Sequence, residues 1–151
     1  NVIELKKIME SLVDISKKIK CVFPIHPRTK TNLIRFNIYE DYLNVDNLNI
    51  IEPLGYIDFM CLQKNAKLIV TDSGGIQEES SYFGVPCMTM RDNTERPVTI
   101  TSGTNKLMGS DFSNLANEII KFNYNKTDDI YLWDGKASER IFDILQEENI
   151  I

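Results

Sequence analysis

Short apolar runs of strand length alternate with stretches of helical periodicity along the whole chain, and this alternation limits its fold more than any other feature. Residues 2–18 carry Val2, Ile3, Leu5, Ile8, Met9, Leu12, Val13 and Ile15 at helical spacing, with lysines and acids between them, which predicts an amphipathic helix. The run 21–25 predicts a buried strand ended by Pro27, and a short helix over 31–38 follows. A strand is predicted at 48–51, closed by Pro53, and then a helix over 58–65 with Phe59, Met60 and Leu62 turned inward. The clearest strand is 68–71. Behind it come a tight turn at 72–75, a helix over 76–83, Gly84 as its C-cap and a strand over 85–90. A polar loop, 91–97, leads to a short strand near 106–108. Ser110 or Ser113 caps a helix running to about 122. A polar stretch, 123–129, precedes a last helix over about 137–148. Strands and helices in this order favour a parallel sheet with helices on both faces, a three-layer Rossmann-like α/β domain spanning 1–151.

With 151 residues the chain can bury a sizeable core. Its formal charge of −5 argues against a dedicated nucleic-acid binder, which would show a basic face. Phosphate binding remains open, because a few backbone N–H groups and one arginine can hold a phosphate inside an acidic protein. The number of cysteines is odd: Cys21, Cys61 and Cys87 sit in apolar runs without a C-x-x-C spacing. They read as buried free thiols, and a reducing cytoplasm follows as the expected compartment. The apolar runs are too short for a bilayer, so no membrane partner is expected. The sequence lacks an initial methionine and leads from Asn1 straight into helical spacing, which reads as a fragment of a longer chain.

The most informative stretch is Leu68-Ile69-Val70-Thr71-Asp72-Ser73-Gly74-Gly75-Ile76-Gln77-Glu78-Glu79. Ligands of open parallel sheets bind beyond the carboxyl ends of the strands. A strand followed by Ser73, Gly74, Gly75 and a helix gathers free N–H groups and the positive end of a helix dipole at one point. Glycine lets a phosphate approach the backbone, and Ser73 adds a hydroxyl, so a diphosphate fits. The plain alternative is an ordinary tight turn. Neither the G-x-x-x-x-G-K-[ST] nor the G-x-G-x-x-G pattern is present, which weighs against a P-loop NTPase and a standard NAD site. Glu79, one helical turn past the glycines, can accept both ribose hydroxyls of a nucleotide. It also reads as a solvated helix residue, and Glu78 more so.

Two further segments fall at strand ends on the same predicted edge. The loop Arg91-Asp92-Asn93-Thr94-Glu95-Arg96-Pro97 is either solvated or a partner of the glycine turn, and the planar fork of an arginine suits a diphosphate. His26, the only histidine, lies in Pro24-Ile25-His26-Pro27-Arg28-Thr29 and reads equally as structural or catalytic. No His/Cys/Asp/Glu spacing suggests a metal site, and no Ser/His/Asp arrangement is evident.

Taken in order, these segments resemble the non-hydrolysing UDP-N-acetylglucosamine 2-epimerases. The resemblance rests on Asp72–Glu79, Gly84-Val85-Pro86, the loop Arg91–Pro97, Gly103-Thr104 and Gly109. His26-Pro27-Arg28-Thr29, Pro53-Leu54-Gly55-Tyr56 and the run Asp134-Gly135-Lys136-Ala137-Ser138-Glu139-Arg140-Ile141 fit it as well. It covers nearly everything from Phe23 onward. It implies the C-terminal half of a glycosyltransferase-B-type fold of two Rossmann-like domains, with residues 139–151 a helix that crosses to the N-terminal domain. It further implies that the backbone around Leu54 and Phe59 holds uracil, Glu79 the ribose, and Ser73, Gly74 and Gly75 the diphosphate, with Arg96 near diphosphate and sugar. The reaction it implies is elimination of UDP across C1–C2 of the sugar, followed by re-addition with C2 protonated from the opposite face.

By the same resemblance, the principal acid–base carboxylates and a His-Arg-Arg-Glu-Asn segment lie upstream of these residues. Within the chain, His26, Glu95 and Arg96 are the candidate catalytic residues. The expected partners are UDP-N-acetylglucosamine and UDP, no cofactor or metal is called for, and the full-length form is expected to be a homodimer. A hydrolysing epimerase would be expected to lack the Thr-Glu-Arg-Pro loop, and enzymes acting on other UDP-aminosugars to change the second glycine, so Gly75 favours UDP-N-acetylglucosamine. The competing readings are the donor-binding domain of a glycosyltransferase-B-type glycosyltransferase, or a stand-alone nucleotide-sugar-binding module.

Overall fold

A computed structural model describes residues 2–109, 115–122 and 130–150. The described residues fall into two compact units, Asn1–Asn65 with Met108–Asn123, and Ala66–Leu107 with Tyr124–Ile151.

The first unit opens with the predicted amphipathic helix α1 (Val2–Ser16), followed by β1 (Cys21–Pro24), α2 (Pro27–Arg35), α3 (Glu40–Leu43), β2 (Leu48–Ile51), α4 (Tyr56–Lys64) and, after the second unit's first segment, α7 (Leu115–Lys121). β1 and β2 pair in parallel, Cys21 opposite Leu48 through Pro24 opposite Ile51. The apolar stripe of α1 drives assembly. Met9, fully buried, clusters with Ile25, Leu33, Ile38 and Tyr42, and Leu5, Leu12, Phe23 and Ile50 pack around them. Burying side chains of this size stabilises by about 1.5–3 kcal/mol each. Pro27 does not merely end a strand. It occupies the first turn of α2, where its missing N–H costs nothing. The helix therefore starts earlier than its periodicity predicts. It stops at Asn37, which takes φ 54° while Asn37 N donates to Ile34 O at 2.9 Å and Ile38 N to Leu33 O at 3.0 Å. Ser110 and Ser113, predicted to cap the helix observed as α7, lie outside the described residues, as does the polar stretch 123–129.

The second unit contains β3 (Ile69–Thr71), α5 (Gly74–Phe83), β4 (Cys87–Thr89), α6 (Val98–Thr101), β5 (Asn105–Leu107) and α8 (Ala137–Glu147). Its three strands are parallel in the order β3-β4-β5, with Thr71 opposite Thr89 and Thr89 opposite Leu107. The α/β class with parallel strands joined by helices is thus the one expected, its strands pairing as a two-stranded and a three-stranded sheet. Gly84 closes α5 as predicted, at φ 69°, a left-handed conformation that costs glycine least. Gly103 answers a different need. A Cβ there would meet Ser81 Oγ at 2.4 Å and Thr99 O at 2.6 Å, so only glycine lets α5 and α6 come this close.

The core of this unit is unusually polar. Beside Val85, Cys87 and Met88, the buried residues are Gln77, Ser80, Ser81, Thr89, Thr99, Thr104 and Asn105. The cysteines are all free thiols, but only Cys87 is buried; Cys21 is half-buried and Cys61 exposed on α4. Burial pushes the Cys87 and Cys21 thiols up from their ordinary range. No helix among the described residues is long and apolar enough to cross a membrane.

The last helix is anchored by charge. Arg140 donates through Nη1 to both carboxylate oxygens of Asp134 at 3.0 and 2.9 Å, and Lys136 N donates to Asp134 Oδ1 at 2.9 Å. These bonds hold the Asp134 carboxyl down at about 2, against an ordinary 3.8, with the Arg140 hydrogen bond as the chief cause. A depressed carboxylate contributes its stability above the unfolded value and loses it as pH falls through the folded one. The anchor is therefore expected to hold at pH 5 and to be lost between about pH 4 and pH 2. A carboxyl-carbon NMR titration of Asp134 should report an apparent pKa near 2 that returns toward 3.8 in Arg140→Ala; an unshifted titration in the unsubstituted protein would refute the anchor.

Candidate functional site

β3 and β4 are parallel and in register, and Met90 N donates to Thr71 O at 2.8 Å, so the segments after both strands leave the same edge of the sheet. One carries Ser73, Gly74 and Gly75; the other carries Glu95 and Arg96. The glycines are not a turn ahead of the helix, as the sequence suggests, but the first two residues of α5, with Ser73 as N-cap at φ −85°, ψ 129°. Ser73 makes no side-chain capping bond; its backbone N–H donates to Thr71 Oγ1 at 3.1 Å. The first N–H groups of a helix have no partner within it. The N-terminus of α5 therefore presents backbone donors, a serine hydroxyl not used as a cap, and the positive end of the helix dipole.

Neither glycine is required by the protein around it. A Cβ at Gly74 would find nothing nearer than Arg96 Cγ at 4.0 Å, and one at Gly75 nothing nearer than Ser73 Oγ at 3.9 Å, both ordinary contacts. That same proximity places the aliphatic stem of Arg96 beside Gly74, so the structure brings Arg96 to the glycine turn. Arg96 Nε lies 2.9 Å from Glu78 Oε1 without making a hydrogen bond to it, and Nη1 donates to Glu95 O at 3.3 Å. Glu78 is thus an ion-pair partner of Arg96 rather than a purely solvated residue. Glu79 is half-buried on α5, four residues past Gly75 and so on the same helix face.

The remaining candidates belong to the first unit. His26, exposed, is the N-cap of α2: its Nδ1 accepts from Arg28 N at 3.2 Å, and its carbonyl accepts from Thr29 N and Lys30 N. The histidine therefore has a structural task, with the ring held by one nitrogen. Leu54, 37% exposed, follows β2, and Phe59 is half-buried in the first turn of α4, its N–H donating to Gly55 O at 2.9 Å. Tyr56 and Ile57 beside them are exposed.

Sequence reasoning missed what lies beneath Arg96. Gln77, fully buried, accepts through Oε1 from Thr94 Oγ1 at 2.6 Å and from Asn105 Nδ2 at 3.1 Å. A signal was present. Gln77, Ser80, Ser81 and Gly84 recur at i, i+3, i+4 and i+7, the spacing of a buried helix stripe, but the stripe is polar and so does not register as apolar periodicity.

The class these features define is a Rossmann-like parallel α/β protein with an anion-receptive helix start at the carboxyl edge of its strands. The chain belongs to the UDP-N-acetylglucosamine 2-epimerase family, whose description matches residues 1–146. It is 44% identical over 146 residues to the UDP-N-acetylglucosamine 2-epimerase of Methanocaldococcus jannaschii, an alignment covering 93% of this chain and 39% of that protein. The crystal structure of the M. jannaschii enzyme in complex with UDP-GlcNAc and UDP superposes with a TM-score of 0.82 at 42% identity, covering 97% of this chain and 41% of that one. A UDP-2,3-diacetamido-2,3-dideoxy-D-glucuronate 2-epimerase of Pseudomonas aeruginosa is 35% identical over 147 residues, covering 95% of this chain and 40% of that protein. The chain thus spans about two fifths of the length of the relatives it matches.

Proposed function

We propose that this chain is the UDP-binding part of an enzyme that interconverts UDP-N-acetylglucosamine and UDP-N-acetylmannosamine by eliminating UDP and adding it back. The observation that carries the reading is the pair of glycines at the start of α5. Each costs up to about 1 kcal/mol relative to alanine within a helix. Neither backbone conformation nor packing asks for them, since a Cβ at either position would make only ordinary contacts. Space for a diphosphate against the backbone accounts for both. In this proposal Ser73, Gly74 and Gly75 hold the diphosphate, Glu79 the ribose, and the backbone around Leu54 and Phe59 the uracil.

Arg96 neutralises charge on the departing UDP, an electrostatic task that a preorganised donor performs well. Its pairing with Glu78 is no obstacle. Both side chains are about two fifths exposed, and such surface pairs contribute roughly 0–1 kcal/mol, which a diphosphate can outcompete. Proton transfer at C2 needs acid–base groups, for which this chain offers His26 and Glu95 and the rest of the protein the principal carboxylates, while Arg96 acts in catalysis through its charge. The presence of a different UDP-sugar epimerase among the relatives makes the substrate the finer part of the proposal; Gly75, unchanged here, favours UDP-N-acetylglucosamine.

We further propose that 1–151 works as one nucleotide-sugar-binding domain, with the C-terminal segment from residue 139 onward, whose helical part is the end of α8, returning to an N-terminal domain. The full-length enzyme would be a cytoplasmic homodimer. Support for the helix comes from α8, which buries no residue and exposes Ile141, Phe142 and Ile144. The exposed thiol of Cys61 suits a reducing compartment.

The test is to incubate the full-length protein with UDP-N-acetylglucosamine and no acceptor. Formation of the manno isomer, with exchange of the C2 proton for solvent deuterium, is the expected result. A protein that binds UDP and leaves the sugar unchanged until an acceptor is added would overturn it in favour of glycosyl transfer.

A further inference from the structure

We propose that Gln77 is a positioning residue that holds Arg96 over the glycine start of α5, directly through the hydroxyl of Thr94 and, by way of Asn105, through that of Thr99. The inference rests on the reading that Arg96 meets the diphosphate of UDP. Both backbone groups of Arg96 are clamped. Its N–H donates to Thr94 Oγ1 at 3.0 Å, and its carbonyl accepts from Thr99 Oγ1 at 2.7 Å. The two hydroxyls converge on one buried pair of carboxamides. Thr94 Oγ1 donates to Gln77 Oε1 at 2.6 Å, and Asn105 Nδ2 donates to both Gln77 Oε1 and Thr99 Oγ1, at 3.1 and 3.2 Å. Asn105 is fixed in turn by Thr89, whose hydroxyl donates to Asn105 Oδ1 at 2.6 Å from the adjacent strand.

This arrangement has a physical purpose that an apolar core could not serve. Gln77 stands two residues past Gly75 on α5, so the helix that presents the N–H donors also holds the loop that presents the guanidinium. Buried hydrogen bonds in a low-dielectric interior are directional and expensive to leave unmade, so they fix the loop in one place. An apolar residue at position 77 would fill the volume and leave the loop free to shift. Preorganisation of this kind decides how well a charged group meets its target, since a displacement of an ångström can cost about a hundredfold. Glu95, on the same loop, is placed by the same clamp.

The experiment measures UDP affinity by calorimetry in the full-length protein carrying Thr94→Val, Thr94→Ser and Gln77→Met, each alone and with Arg96→Ala. Thr94→Val keeps the shape and removes the hydroxyl. It is expected to weaken UDP about tenfold, while Thr94→Ser, which keeps the hydroxyl, stays within about twofold of the unsubstituted protein. Gln77→Met should match Thr94→Val; if it fails to fold, the two Thr94 variants decide the matter. On the Arg96→Ala background neither Thr94→Val nor Gln77→Met should weaken binding further, because the group they position is gone. A role in stability alone would lower the melting temperature and leave the affinity of the folded protein unchanged, which would overturn the proposal. So would an equal loss on both backgrounds. Unchanged affinity in Arg96→Ala by itself is a different result, and it would overturn the UDP reading instead.

Discussion

Alanine in place of Arg96 is expected to weaken UDP binding by about ten- to a hundredfold. A hydrogen bond to a charged group contributes roughly 1.5–3 kcal/mol, and each 1.4 kcal/mol is a factor of ten. Two features of the site set where in that range the loss falls. The guanidinium is already paired with Glu78 at 2.9 Å, so part of the gain on binding is offset by giving up that pair. The offset is small, because an exposed pair of this kind is worth at most about 1 kcal/mol. Against it, the buried Nε–H of Arg96 is not aligned on the Glu78 carboxylate 2.9 Å away, so a phosphate oxygen in line with it would make a hydrogen bond that the ion pair does not. Glu79→Ala should lower affinity by a comparable factor through loss of the ribose bonds. Calorimetry of UDP with each variant is the measurement. Unchanged affinity in both would mean that the nucleotide sits elsewhere.

How much of this was legible beforehand depends on the range of the interaction. The strands at 48–51 and 69–71 and the cap at Gly84 follow from local chemistry: apolar runs, and the tolerance of glycine for a left-handed conformation. Ser73 and the glycines could be read as a phosphate turn because their side chains, or lack of them, carry the meaning. Pro27 is ambiguous in the sequence for a local reason. A proline ends one element and begins the next equally well, and only the cap from His26 decides between them. The short helices α3 and α6 have too few residues to show a period. The polar core shows in the sequence only as the polar stripe of α5, and its other members are hidden for a different reason. Thr89, Thr94, Thr99 and Asn105 are scattered along the chain, and each taken alone is an ordinary surface residue. Only the parallel pairing of β4 and β5, which sets Thr89 and Asn105 on neighbouring strands, makes them one network. Cys61 failed the opposite way. It sits in an apolar stretch, yet α4 turns it outward.

The 151-residue chain expressed by itself is expected to bind UDP weakly and to show no epimerisation, with turnover below about a thousandth of that of the full-length protein. The reason lies in what the site provides and what the reaction demands. A helix start with free N–H groups and one arginine can hold a diphosphate and stabilise it as it leaves. Inverting C2 also requires a proton to be taken from one face of the sugar and returned to the other. Proton transfer by positioned groups contributes typically 10²–10⁴-fold, and holding the sugar in register with them contributes more. In this chain the candidates for that work are His26, whose Nδ1 is occupied as a helix cap, and Glu95, an exposed residue on the Arg96 loop. The relatives that carry the epimerase name are about two and a half times as long, and the resemblance puts the principal carboxylates in that additional length. The same comparison bears on α8. Its residues Ile141, Phe142 and Ile144 are each more than half exposed, an apolar face that should drive self-association of the isolated chain unless another part of the protein covers it. Formation of UDP-N-acetylmannosamine by the isolated chain, with the full-length protein as control, is the deciding assay, and sedimentation of the isolated chain tests the exposed face. Turnover by the isolated chain at a rate comparable to full length would place the acid–base groups within these residues, and His26→Ala and Glu95→Gln would then show which of the two carries the proton.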